Sequence, residues 1–496
     1  MRSQPKTIWN IAANVTLIVV SMISGLLVMP YLIQTLGNTT YGLWILIGTL
    51  TGYFGVLDLG VPAAVGRLIA IHHARGEPEQ INVIMSTALA LLLMVSVGVC
   101  VATFIALPLF PLVFTVPATS ALDVRYALIL VGLSLALAFP ASVFSGLLWG
   151  FARFDLQNAV DIPALILRTL LTLTMVSTIK PLITLGVIVL AIGALSGIFK
   201  MLVCYRLVPD LQISLRHVRR NRAREIFAIG GWLNVISWSR TLIPQIAPTL
   251  IGARLGNAAV TTFSVARQLV VYANVFSQHA TQVMTPGATG AFATNAVAKQ
   301  RRLFLEGGRY AYALTIFLFG GLFCLGMPFI HRWQHGLQDA AYRPLIVLML
   351  GESLPMSQWL TYSVLLGAGR QRALALLALS EGVMAVLLIV GLIGIGGITG
   401  VCTAVAVAGF VARGLAQLLY GCRVAAVSLG SYARQVFVPV TLAATPAVAA
   451  LYAAAAALTP HSFGSIFGLG LAYTVLFAGT LAWTLLGSTR LRAIIS

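Results

Sequence analysis

Apolar residues run along this chain in long stretches joined by short polar segments. A bilayer core takes about 20 apolar residues per helix. On that ruler about fourteen stretches are long enough to span, near 8–36, 41–70, 83–107, 124–149, 160–179, 182–206, 226–252, 258–284, 304–330, 343–366, 373–394, 398–420, 436–458 and 465–488. The pattern predicts an all-α polytopic membrane protein, and an even number of spans puts both termini on one side. Arg2 and Lys6 precede the first stretch, which runs from Ile8 to Leu36. It is too long for a signal-peptide core and is expected to remain as the first span.

The pattern also repeats. Pro30-x-Leu32-Ile33 followed by Leu36-Gly37-Asn38 returns as Pro248-x-Leu250-Ile251 followed by Leu255-Gly256-Asn257. The same displacement of about 218 residues carries Ser145-x-Leu147-Leu148 onto Ser363-x-Leu365-Leu366, and Asp161 to within two residues of Glu381. Six spans return the chain to its starting side, so two six-helix lobes would form a parallel pseudo-repeat, with a site at their interface near mid-membrane. The expected organisation is an N-terminal lobe over 1–210, a basic linker over 211–225, a second lobe over 226–425 and two appended helices over 426–496.

Composition excludes the alternatives to a membrane protein. Hydrophobic residues make up 59% of the 496, charged residues only 9%, and the mean hydropathy is +0.96, so an ordinary soluble domain would leave too much apolar surface in water. A net charge of +19 by itself suggests nucleic acid. The basic residues are instead scattered in short clusters between apolar runs, which makes lipid the expected partner and excludes nucleic acid. With the termini placed in the cytoplasm, about 19 Lys and Arg fall on that side against about 5 outside (Arg125, Lys180, Arg254, Arg332 and Arg343), with seven inside spans. The largest cluster, Arg216, Arg219, Arg220, Arg222 and Arg224, reads as a topology anchor. Cys100, Cys204, Cys324, Cys402 and Cys422 lie in or at the ends of apolar segments without a paired framework, and act as small apolar side chains.

One stretch carries more than packing. Between Met29 and Arg67 the order is Pro30, Leu36-Gly37, Tyr41-Gly42-Leu43-Trp44, Asp58-Leu59-Gly60, Pro62 and Arg67. An acid beside a proline break within a lipid-compatible segment is costly unless it faces protein or a water-filled path. This order resembles the start of the polysaccharide and O-antigen flippases of the MOP superfamily, a MATE-like two-lobe plan. The resemblance implies carriage of polyprenyl-diphosphate-linked oligosaccharide across the bacterial inner membrane for surface polysaccharide biosynthesis. It also implies a cationic central cavity and work beside a polysaccharide polymerase.

Polar residues at helical spacing mark the faces hidden from lipid. Span one shows Asn10, Asn14, Ser21 and Gly25; span seven Asn234, Ser237, Arg240, Thr241 and Gln245 with Pro244 and Pro248; span eight Ser264, Arg267, Asn274, Gln278 and Gln282. Asn14, Asn234, Gln245, Asn274 and Gln278 are candidate cavity-lining residues. They would serve equally as interhelical hydrogen bonds of roughly 0.6 to 2 kcal/mol each. Of the basic residues within spans, Arg67, Lys200 and Arg309 lie near enough to the ends to snorkel. Arg168, Arg240, Arg267 and Arg413 lie deeper, and guanidinium forks suit a lipid diphosphate because they donate in pairs and stay charged. Asp161 and Arg168, seven residues apart, could alternatively form a structural ion pair. Asp58, Glu352 and Glu381 are candidates to couple a proton or sodium ion, with Asp58 equally placed to cap freed backbone donors at its kink. Gly48, Gly52 and Gly55 have the spacing of close helix contacts, and His72-His73 reads as solvated loop, not as a metal site.

Absent motifs narrow the class. No GxxxxGK[ST] sequence occurs, so the chain carries no ATP-binding loop of its own, and no cofactor is expected. Secondary transport remains. An enzyme acting on sugars would need a large extracytoplasmic loop, and the longest here, Pro108–Asp123 and Ile330–Tyr342, are short. A MATE-like antiporter of drugs or other small molecules is the second reading. Its organic cations would be repelled by deep charges that are mainly basic. The charge asymmetry makes one direct prediction. In a cysteine-free background, an impermeant maleimide added to intact cells should label His335→Cys and not Asn221→Cys, and the opposite pattern would reverse the topology.

Overall fold

The computed structural model describes the backbone of residues 4–58, 60–282 and 297–495, with side chains described over 13–58, 60–228, 235–281 and 300–483. Among these residues all regular structure is helical, and the chain divides into two compact units, Met1–Thr261 and Thr262–Ser496. The first unit holds α1 (Gln4–Phe54), α2 (Val61–Ala74), α3 (Pro78–Val113), α4 (Ala121–Gly150), α5 (Phe154–Met175), α6 (Pro181–Leu207) and α7 (Arg220–Arg254). Helix α8 (Asn257–Gln282) carries the chain across the division. The second unit continues with α9 (Val297–Trp333), α10 (Tyr342–Ser357), α11 (Trp359–Gly367) and α12 (Gln371–Gly409). A π-helical run, Phe410–Ala416, leads into α13 (Gln417–Val424). After α14 (Leu429–Tyr432) and a second π-helical run, Ala433–Phe437, come α15 (Val438–Leu458) and α16 (Phe463–Ile495).

Nine runs among the described residues are long and apolar enough to cross a bilayer. The difference from about fourteen expected spans lies in two kinked runs, Ala13–Ala74 and Gln371–Val424, and in α7, α8 and α10, which are too polar or too short for that measure. The kinks are glycine corners. Gly37, where the sequence predicts a turn, takes φ 73 and ψ 168 and divides α1. Gly397 at φ 53 divides α12, and a Cβ at Gly400 would collide with the Leu392 carbonyl oxygen, so the two limbs fold back on one another.

Left-handed corners recur at the repeat spacing. Gly37 and Gly256, Ala152 and Gly369, and Lys180 and Gly397 all have positive φ, each pair separated by 217 to 219 residues. At the second pair even the helix-ending hydrogen bond is the same. Arg153 donates its backbone N–H to the Leu148 carbonyl and Arg370 donates to that of Leu365, both at 2.9 Å. These are the bonds that satisfy the last carbonyls of a helix when the next residue turns left-handed.

Packing explains where the division between the units falls. The basic stretch expected as a linker over 211–225 is helical from Arg220, and Arg222 donates to Gln80 at 2.8 Å, fastening α7 to α3. Ile226 joins the first unit's largest apolar cluster with Val65, Ile69, Met85 and Leu147. Gly52 lets α7 approach α1, since a Cβ there would stand 2.7 Å from the Gln245 side chain, and Tyr53 bonds Thr249 at 3.0 Å. Of the three spaced glycines, Gly52 and Gly55 face α7 while Gly48 meets nothing within 4 Å. His72 and His73, expected in a loop, form the last turn of α2. His72 Nδ1 lies 2.5 Å from Glu77 Oε2 and His73 stacks on Phe151.

In the second unit Gly351 on α10 lies directly on the backbone of Ala406 in α12, where a Cβ would overlap its Cα. Gly351→Val should lower the unfolding temperature of the detergent-purified protein by several degrees, since overpacking costs about 1–3 kcal/mol. Gly391→Ala, at a glycine with nothing within 4 Å, should leave it unchanged or raise it slightly. Equal behaviour of the two variants would contradict the close α10–α12 contact.

Candidate functional site

The second unit brings several deep charges into one network. Arg413 sits on the π-helical run and is gripped from two sides. Its Nε donates to Glu381 Oε1 and Oε2 at 2.7 and 2.8 Å, and its Nη2 and Nη1 donate to Glu352 Oε1 and Oε2 at 2.6 and 3.2 Å. Glu381, on α12, is 4% exposed, and the Glu352 side chain on α10 is 14% exposed, whereas Arg413 keeps 36% of its side-chain surface. The network is thus open on the arginine side. Asn274 of α8 donates to Glu352 Oε2 at 3.3 Å, and Arg267, two turns earlier on the same helix, interacts with the Glu352 charge. Two carboxylates and two guanidiniums balance, which offsets most of the cost of holding each in a low-dielectric interior.

Local backbone chemistry shapes this arrangement. Gly409 lies against the network, so that a Cβ would stand 3.0 Å from Arg413 Nη2 and within 3.7 Å of both carboxylates. A π-helical turn carries an extra residue, and such turns concentrate at functional sites. One turn beyond Arg413, Gln417 donates its Nε2 to the carbonyl of Gln358 at 2.9 Å. Gln358 is fully buried at the break between α10 and α11; it donates to Ser357 Oγ and accepts from Thr361 Oγ1, both at 2.8 Å. Pro355, just ahead of this break, lacks a backbone N–H, which interrupts the helix there. The sequence reading passed over both glutamines, although a glutamine shortly after a proline in an apolar span is the signal that would have found Gln358.

The first unit distributes its candidates among separate contacts. Asp161 does not pair with Arg168: its Oδ1 meets Lys200 Nζ of α6 at 2.7 Å. Seven residues along a helix is nearly two turns, about 10 Å of rise, which favours a neighbouring helix over the same one. Arg168 is exposed on α5, and its side chain has no hydrogen bond or ion pair among the described residues. Arg240 is exposed on α7. Asn14 accepts from Nδ2 of the buried Asn158 at 2.7 Å, and Ser24 bonds Thr169 at 2.5 Å, so α1 and α5 are joined by polar pairs. Gln245 packs at Gly52 and the side chain of Asn234 lies outside the described residues, while Gln278, on the second unit's part of α8, is half-buried. Asp58 accepts from the Gly60 backbone N–H at 2.7 Å, closing the break ahead of α2.

Long apolar helices, inward-matched charges and broken spans define a multi-pass membrane protein with the fold of the MOP transporters. The structure superposes on the lipid II flippase MurJ in an inward closed conformation with a TM-score of 0.75 at 12% identity, covering 99% of this chain and 100% of that chain. An inward-facing multidrug resistance MATE transporter of the MOP superfamily gives 0.70 at 15% identity over 81% and 94%. A MOP superfamily transporter from Pyrococcus furiosus, described as having a binding pocket of reverse polarity, gives 0.62 at 14% over 85% and 96%. The chain belongs to the polysaccharide biosynthesis protein family, whose model matches residues 8–288. It is also similar to the uncharacterized membrane protein EpsK of Bacillus subtilis (strain 168), 23% identical over 257 residues. That similarity covers 50% of each protein, so the chain spans about half the length of the curated relative it matches.

The Arg413 network predicts strong coupling. Glu381→Gln and Arg413→Gln should each lower stability, while the double variant should lose less than the two combined, by on the order of 1–3 kcal/mol. A double-variant cycle read by thermal unfolding in detergent measures this, and additive losses would show that Glu381 and Arg413 do not act together.

Proposed function

We propose that this protein carries polyprenyl-diphosphate-linked oligosaccharide from the cytoplasmic to the outer face of the bacterial inner membrane, for O-antigen, capsule or another surface polysaccharide. It works by alternating access around a cationic cavity, with both termini cytoplasmic and a polysaccharide polymerase acting downstream. The observation that carries this reading is the excess of arginine over acid inside the spans. Asp58 is held by Gly60, Asp161 by Lys200, Glu306 by Arg302, and Glu352 and Glu381 by Arg413. Arg168 and Arg240 remain exposed on helices bounded by apolar residues. An exposed arginine at that depth is costly against lipid tails and is stabilised where water or an anion reaches it.

Roles follow from these surroundings. Arg168 and Arg240 hold the diphosphate together with Arg267, which also faces the Glu352 charge, and Arg413, already occupied by two carboxylates, joins the substrate charge to Glu352 and Glu381. Those two acids, with Asp58, are the groups through which a proton or sodium ion couples to transport. Asn14, Asn234, Gln245, Asn274 and Gln278 supply hydrogen bonds for sugar. Membership of the polysaccharide biosynthesis protein family supports the glycan, and the engagement of the acids favours an anionic cargo over the cations of a drug antiporter.

Complementation of a flippase-null strain, normalised to membrane protein level, tests the assignment. Arg240→Ala with Arg267→Ala should reduce surface glycan at least about tenfold, the equivalent of roughly 1.4 kcal/mol. Lys at either position should restore part of the output, because it returns charge without the bidentate fork. Full output from the Ala pair would end the assignment for these two residues.

A further inference from the structure

A cavity lies away from all of these residues, between the end of α9 and the end of α15 in the second unit. It encloses about 630 Å³ and is lined along α9 by Cys324, Met327, Pro328, His331 and Arg332, and along α15 and its exit by Tyr452, Ala455, Ala456, Thr459, Pro460 and His461. Its chemistry changes along its length. Cys324 to His331 is seven residues of helix, about 10 Å of rise, and over that distance the walls pass from apolar to basic. Cys324, Met327, Tyr452, Ala455 and Ala456 form the apolar end.

The basic end is only partly matched by acid. His331 Nδ1 is 2.8 Å from Asp339 Oδ2, which orients the ring. Arg332 and His461 have no ion pair or hydrogen bond among the described residues. Both are exposed, as is Tyr452 at 60% and Met327 at 39%, so the groove opens on the outer perimeter of these helices. Phe323, Phe463 and Phe467 are exposed nearby, as expected of a wall that meets hydrocarbon.

We propose that this groove binds an anionic phospholipid of the surrounding bilayer, with the phosphate at Arg332 and His461 and an acyl chain along Met327, Tyr452 and Ala456. The occupant follows from charge complementarity and from access. A headgroup phosphate at the membrane interface meets the basic end, the chain attached to it continues along the apolar end, and the opening faces the bilayer that supplies both. The groove is independent of the proposed glycan substrate and of its direction of movement.

Native mass spectrometry of the full-length protein, titrated with phosphatidylglycerol or phosphatidylethanolamine, reads the site directly. Phosphatidylglycerol should be retained preferentially. Arg332→Ala should cut that retention roughly fivefold, Arg332→Ala with His461→Ala should cut it further, and Arg332→Lys should keep most of it. Ala456→Trp, which fills the apolar end without touching charge, should also abolish retention, and it decides the matter if the double variant is misfolded. Equal retention of the two lipids, or phosphatidylglycerol binding unchanged in Ala456→Trp, overturns the proposal. So does displacement of the lipid by millimolar inorganic phosphate, which would mark a free-anion site, or selective uptake of polyprenyl phosphate in place of phosphatidylglycerol.

Discussion

A bilayer core does not solvate charge, and that constraint organises the second unit more than any apolar contact. Glu381 is almost wholly buried on a helix otherwise fit for lipid, and it persists because Arg413 reaches it with both Nε bonds. Arg413 in turn needs Glu352, which Asn274 and Arg267 complete from α8. Four elements, α8, α10, α12 and the π-helical run, are held in register by one set of mutually neutralising groups. Removing a single member leaves its partner charged and buried, which is far costlier than replacing the whole set by apolar residues.

The first unit meets the same constraint with smaller means. Three of its cross-helix links, Asn14 with Asn158, Ser24 with Thr169, and Lys200 with Asp161, each tie α5 to a neighbour. Arg168 of α5 and Arg240 of α7 stand exposed on their helices, whereas Arg413 is gripped by two carboxylates.

Much of this was legible in the sequence because the bilayer imposes a long, simple pattern. Helix positions, the Gly37 corner and the repeat that brings Gly37 to Gly256 follow from apolar length and from motifs that need φ above zero. The joints were harder. Arg220 begins a helix inside a basic cluster that reads as a loop, and Ile226 draws that helix into the first unit's core, because tertiary packing outweighs local composition. Within the site, Arg413, Glu352 and Glu381 were each conspicuous as deep charges, but their partnership was not. They are separated by 29 and 32 residues along the chain, and periodicity within one helix carries no information about which face of another it meets. Asp161 shows the same limit, since its partner stands on α6 and not on its own helix.

The π-helical run at Phe410–Ala416 has a consequence for the phase of everything after it. A π turn holds one residue more than the surrounding α-helix, so the positions beyond it are rotated by about 100° relative to an uninterrupted helix. Buried residues pass from Ala404, Ala406 and Ala408 to Gln417, Leu418, Gly421 and Cys422 across that shift. Arg413 and Gln417, four residues apart, share a face and address Glu352 and Gln358 along α10 and its break, and the extra residue sets that face relative to the helix upstream. The extra residue works as a gear tooth: lost by a single deletion ahead of Arg413, it would leave Ala404 to Ala408 in place and turn the arginine and the glutamine together away from their partners.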